Sequence, residues 1–193
     1  MIDSINTPFP ECKRILFKEI KLDPHFAEFY DWARSNNVPV VVLSSGMIPI
    51  IRALLEHLLG PEANEIQVVA NEMVDRAPKT RDQPGGWNIK FHDESGFGHD
   101  KSRTIRPYQE YFENHPNEKR PAILYAGDGV SDLSAAKETD LLFAKKGQGW
   151  SFSEMSKCRI DVCTDLVAYC EREGVPFTVF EDWSSILAKT KQI

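Results

Sequence analysis

An apolar run from Pro121 to Tyr125 leads into Gly127-Asp128-Gly129-Val130-Ser131-Asp132, and Leu133-Ser134-Ala135-Ala136-Lys137 follows as the opening of a helix. This stretch constrains the fold more tightly than any other. A buried strand that turns at once into a helix is the joint of an α/β unit. Glycines on both sides of Asp128 let the backbone turn sharply and approach a ligand closely. Asp128 and Asp132 set hard oxygen donors at the carboxyl end of a strand. Such donors suit Mg²⁺, which keeps several waters and takes phosphate oxygens as further ligands. An ordinary strand-to-helix turn needs only Asp132 as a helix starter. Two acids, two glycines and the preceding strand together favour the metal reading.

Two other segments fit the same chemistry. Val38-Pro39-Val40-Val41-Val42-Leu43 reads as a strand over 38–43 that stops at Ser44-Ser45-Gly46. Small hydroxyl residues and a glycine at a strand end can hold a phosphoryl group through hydroxyl and backbone N–H donors. The helix predicted over 47–59 carries Met47, Ile50, Ile51, Leu54, Leu55 and Leu58 at helical spacing. Its N-terminal dipole favours an anion there. Ser-Ser-Gly is also an ordinary loop and cap, so the segment is weak evidence alone. The third segment is Gly98-His99-Asp100-Lys101-Ser102, ahead of a helix carrying Ile105, Tyr108 and Phe112. Lys101 is a candidate point charge for a phosphoryl group, although most single lysines are simply solvated.

In this order the three segments resemble the haloacid dehalogenase (HAD) superfamily, in its phosphoserine-phosphatase-like branch. Leu43-Ser44-Ser45-Gly46-Met47 is similar to the second motif, and Lys101 to the third-motif lysine. Gly127 to Asp132 is similar to the fourth motif. The wording around Thr7 to Cys12 and Phe97 to Ser102 resembles fungal HAD phosphatases. The resemblance implies a Rossmann-like parallel sheet flanked by helices. It implies an Mg²⁺-dependent phosphomonoester hydrolase for a small phosphorylated substrate. Ser44, Ser45, Gly46 and Lys101 would bind phosphate, Lys101 and Asp128 would be catalytic, and Asp128 and Asp132 would hold the metal.

The family's first motif, an apolar strand ending Asp-x-Asp-x-Thr, supplies the nucleophile and the general acid/base. No Asp-x-Asp pair occurs in the 193 residues. Met1-Ile2-Asp3-Ser4-Ile5 resembles a point inside the helical cap that follows that motif. The resemblance therefore predicts amino-terminal truncation, with 1–22 a cap remnant and 23–193 the core. It also predicts the loss of the central first-motif strand and most of the cap, which leaves open strand edges in a sheet that is usually buried. Gln148 to Thr164 has no helical or strand period and reads as an atypical insertion. Without a nucleophile, the alternative is a non-catalytic fragment or pseudophosphatase that binds a phosphorylated ligand or a partner protein.

Composition excludes some classes. The net charge of −6 disfavours a nucleic-acid or anionic-membrane surface. No apolar run approaches the length of a membrane span. Four cysteines without a disulfide or zinc framework suit a reducing, cytoplasmic setting. Alternating periodicities add a helix from Asp23-Pro24 to about Asn36 and strands at Ile66–Val74 and Trp87–Phe91. A helix over 100–114, a strand over 121–126, a helix over 130–138 and a strand over 140–144 follow. The tail reads as a helix over 165–173, a strand from Val175 to Phe180 and a helix from Trp183. Among lesser candidates, His99 reads as an exposed loop histidine, and Asp93 and Glu94 as a solvated turn. Arg76, Lys79 and Arg81 read as solvated loop charges, and Trp87 and Phe91 as packing residues.

Overall fold

A computed structural model describes residues 5–95, 99–146 and 166–193. The expected insertion at 148–164 lies outside the described residues. The chain forms two compact units, one from residues 1–23 and 30–99, the other from 24–29 and 100–193. Both are α/β.

The first unit holds α1 (Phe9–Glu19), β1 (Val41–Met47), α3 (Ile48–Leu59), β2 (Gln67–Asp75) and β3 (Trp87–Lys90), while α2 (Phe26–Ser35) is shared with the second. Its three strands run in the order β1-β2-β3. β1 and β2 are parallel, joined by the α3 crossover, and β2 and β3 are antiparallel. The antiparallel pair departs from an all-parallel sheet because residues 76–86 form a tight polar connection with no helix in it. Gly86 is required there, since a Cβ at that position would overlap the Thr80 carbonyl. Phe9 and Trp87 pack edge-on at 5.7 Å, and the Trp87 indole donates to the Thr7 carbonyl at 3.0 Å. Residues 1–22 therefore carry a helix anchored to this unit's core. Gly60, at φ 86°, ends α3.

The predicted strand at 38–43 is displaced to Val41–Met47. Pro39 has no N–H to give a ladder, and the extended backbone instead continues through Ser44, Ser45 and Gly46. Those residues lie inside the strand rather than after it.

The second unit holds α4 (Ser102–Asn114), β4 (Leu124–Gly127), α5 (Leu133–Ala136), β5 (Leu141–Lys145), α6 (Leu166–Glu173), β6 (Thr178–Phe180) and α7 (Trp183–Thr190). Its three strands are all parallel, in the order β4-β5-β6. Side chains alternate across β5. Leu142 and Ala144 pack with Ala136, Leu166 and Cys170, whereas Phe143 packs with Phe180 and Ile186 on the other face. Burial on both faces explains the unbroken apolar wording of this strand. Trp183 extends the second cluster, with Phe26 at 4.6 Å and Phe29 at 4.8 Å. Asp182 caps α7 by accepting from the Ser184 N–H at 2.8 Å. Asp100 accepts in the same way from the Ser102 N–H at 3.1 Å, ahead of α4.

The expected cap at Asp23-Pro24 is not where α2 begins. His25 has φ 63°, outside the right-handed helical region, so the helix starts at Phe26. The Pro24 carbonyl accepts from the Trp183 N–H at 3.1 Å instead. β1 is at an edge of the first sheet and β4 at an edge of the second, among the described residues. No described helix is long and apolar enough to cross a membrane.

Candidate active site

β4 delivers Tyr125 and ends at Gly127; a 3-10 turn, Val130–Asp132, then leads into α5. Asp132 is buried at 3% exposure under this turn. Its Oδ1 accepts from the Lys101 ammonium and, at 2.5 Å, from the Tyr125 hydroxyl. Its Oδ2 accepts from the backbone N–H groups of Asp128 at 2.9 Å and Gly129 at 3.0 Å. Both oxygens are thus engaged, and the carboxylate pins the turn to the strand. Gly127 has no alternative, because a Cβ there would come within 2.5 Å of the Asp132 carboxyl carbon.

The electrostatics separate the two acids. Burial works against ionised Asp132, but the Lys101 charge and the donors around it outweigh that and hold its pKa below the usual aspartate value. Burial and the Asp132 charge push the Asp128 carboxyl above its ordinary range, with Lys101 opposing. Burial, then Asp132, also drives the Tyr125 hydroxyl well up, so it stays a donor. Asp128 is exposed, and apart from its own backbone N–H its carboxylate has no hydrogen-bond partner among the described residues. Lys101, 5% exposed, spends one N–H on Asp132 and another on Ser131 Oγ at 3.3 Å. An ammonium has three donors, and two of them are engaged among the described residues.

This donor set fits Mg²⁺ through one carboxylate, that of Asp128. Asp132 has no lone pair to spare in this arrangement and acts on Asp128 through the backbone it holds. No three His, Cys, Asp or Glu side chains converge among the described residues. Mg²⁺ needs no such cage, since it binds through one or two carboxylates, waters and substrate phosphate.

Ser44, Ser45 and Gly46 belong to the first unit. Leu43 pairs with Val69 and Met47 with Asn71, so these three residues bulge opposite Ala70 alone. The Gly46 N–H donates to Ser44 Oγ at 3.0 Å. Ser45 Oγ is buried and finds no partner among the described residues. His99 corrects the expectation of an exposed loop residue: it is 1% exposed, and its Nδ1 is 3.0 Å from the Ser44 carbonyl. Its ring packs edge-on against His92 at 4.6 Å. The expected loop charges have local work, with Arg81 paired to Asp75 at 2.8 Å and Lys79 donating to the Pro84 carbonyl at 2.9 Å. Glu94 is exposed as expected, and Asp93 accepts from the Ser95 N–H at 2.8 Å. Tyr125 and Asn71 escaped the sequence reading. One looks like any strand aromatic and the other like any strand polar residue, and no spacing pairs either with its partners.

Residues 1–137 match the family described as haloacid dehalogenase-like hydrolase. The chain is 49% identical to the Saccharomyces cerevisiae protein named polyol phosphate phosphatase PYP1, covering all of this chain and 72% of that protein. It is 46% identical to Pdp3-interacting factor 1 of Schizosaccharomyces pombe, over 96% of this chain and 70% of that protein. A 2-hydroxy-3-keto-5-methylthiopentenyl-1-phosphate phosphatase of Bacillus cereus is 24% identical over 92% of this chain and 67% of its own length. With the family match spanning well over half of the residues, and a turn built around two aspartates and a buried lysine, the chain belongs to the haloacid dehalogenase-like hydrolases.

Proposed function

We propose that this chain is the Mg²⁺-dependent, phosphate-binding part of a cytoplasmic phosphomonoester hydrolase acting on a small phosphorylated metabolite. A polyol phosphate, as named for the S. cerevisiae relative, is the first substrate to test. The observation that carries this reading is the division of labour around Asp132. It neutralises and fixes Lys101, while Asp128 beside it has no ion-pair partner among the described residues. Mg²⁺, when bound, offsets the charge of the phosphate oxygens. Asp128 holds it. Lys101 presents its remaining N–H to a phosphoryl oxygen. In the first unit, the Ser44 hydroxyl, whose oxygen already accepts from the Gly46 N–H, keeps its proton for donation to a phosphate. Within the second unit, Asp128 and Lys101 are preorganised charges for an anionic transition state.

The 193 residues contain no Asp-x-Asp-x-Thr segment, which favours the second reading for the chain on its own: it binds a phosphorylated ligand without turning it over. The test is hydrolysis of an aryl phosphate with Mg²⁺. The chain alone should stay at background, and joining it to an upstream segment bearing the first motif should produce turnover. Turnover by the chain alone that Asp128→Asn abolishes would mean that it contains a nucleophile of its own.

A further inference from the structure

Ser44, Ser45 and Gly46 face Ala70 alone across the β1–β2 ladder, so the bulge strips carbonyls of regular strand partners. A buried carbonyl without a partner is costly, and the backbone must find another donor. Two side chains supply it. The Asn71 amide donates from Nδ2 to the Ser45 carbonyl at 2.7 Å, and its Oδ1 accepts from the His92 N–H at 2.8 Å. His99 lies 3.0 Å from the Ser44 carbonyl. A carbonyl only accepts, so His99 must carry its proton on Nδ1. Asn71 and His99 are each 1% exposed, so bulk water does not reach them.

We propose that Asn71 and His99 are positioning residues for phosphate binding: they set the bulge that aims the Ser44 hydroxyl. This inference rests on the phosphatase reading above. The relay runs through planar trans peptides, in which the carbonyl and the following N–H point in opposite directions. Holding the Ser45 carbonyl turns the Gly46 N–H the other way, onto Ser44 Oγ at 3.0 Å. That bond occupies the acceptor side of the hydroxyl and leaves its proton as the donor. Holding the Ser44 carbonyl sets the Ser45 N–H by the same geometry. Neither Asn71 nor His99 touches the phosphate. His92 belongs to the same device through its backbone N–H, and its ring leans on His99 at 4.6 Å. Gly46 is confined as well, since a Cβ there would sit 3.2 Å from Ser44 Oγ and crowd the hydroxyl.

The test is titration of inorganic phosphate into the full 193-residue chain with Mg²⁺ present, read by calorimetry and by the amide signals of Ser45 and Gly46. His99→Leu removes the donor at similar volume and should weaken phosphate binding about fivefold or more, the usual worth of a buried hydrogen bond. His99→Asn keeps a side-chain N–H near the Nδ1 position and should stay within about twofold of the parent. Asn71→Ser is too short to reach the Ser45 carbonyl and the His92 N–H and should weaken binding like His99→Leu. It decides the matter if His99→Leu loses its folded near-UV signal. Parent-like affinity in Asn71→Ser and in folded His99→Leu would overturn the inference and leave the phosphatase reading intact. So would a loss in His99→Asn equal to that in His99→Leu. A parent chain that binds no phosphate would overturn the phosphatase reading and this inference together.

Discussion

Asp128 and Asp132 are the same residue type on one turn, yet Asp132 is enclosed by Lys101, Tyr125 and two backbone N–H groups, while at Asp128 desolvation and the Asp132 charge outweigh the opposing Lys101 charge. Removing donors from Asp132 should therefore be graded. Tyr125→Phe deletes one hydrogen bond and should lower stability by about 1 kcal/mol. Lys101→Met strands a buried carboxylate and should cost about 3–5 kcal/mol. Urea denaturation gives both values, and equal losses would mean that the ion pair is not what holds the turn. The signs with pH are opposite for the two acids. Asp132, held below 3.8, contributes stability that is present above that value and lost as pH falls through its lowered folded pKa. Asp128, raised above 3.8, is penalised when ionised, so protonation relieves the fold as pH falls through its raised pKa. Asp128→Asn should accordingly be more stable than the parent at neutral pH. That advantage should shrink as the pH approaches the acid range. A constant difference across the titration would contradict the assignment.

At the scale of elements, the two candidate segments are distortions that their neighbours enforce. The β4–α5 joint needs Gly127 because the Asp132 carboxyl group lies where a side chain would go. Gly127→Ala should push that carboxylate off its donors and cost about 1–3 kcal/mol by overpacking. Its thermal midpoint should fall clearly below that of Gly174→Ala, where a Cβ meets nothing within 4 Å but the backbone has φ 65°. A smaller loss at Gly127 would remove the packing argument. The joint itself was readable from residues alone, because an apolar run, paired glycines and a helix-forming segment lie in unbroken order. The β1 bulge was not. Ser-Ser-Gly reads as the end of a strand, and only long-range partners, Asn71 and His99, show that the chain stays extended through it. His99 was misread for the same reason, since its polar loop wording carries no sign of the carbonyl that buries it. The start of α2 failed because a left-handed His25 intervenes, a backbone state that Asp23-Pro24 does not announce.

On the scale of the whole molecule, the α/β class and nearly every element were legible, since helix and strand periods alternate cleanly along the chain. The antiparallel β3 was not, because parallel and antiparallel strands share the same alternation and only the connection distinguishes them. The sites were half legible. Lys101, Asp128 and Ser44 can be proposed from residue type and motif order, whereas the contacts of Tyr125, Asn71 and His99 are with partners far away in sequence. The account rests on Asp128 being the side chain kept unpaired for a divalent cation. Calorimetric titration of Mg²⁺ into the chain with inorganic phosphate present, parent against Asp128→Asn, tests this most directly. The account predicts Mg²⁺ binding by the parent and a loss of about tenfold or more in the variant, where a charged ligand becomes a neutral amide. Equal Mg²⁺ affinity in the two proteins would contradict it.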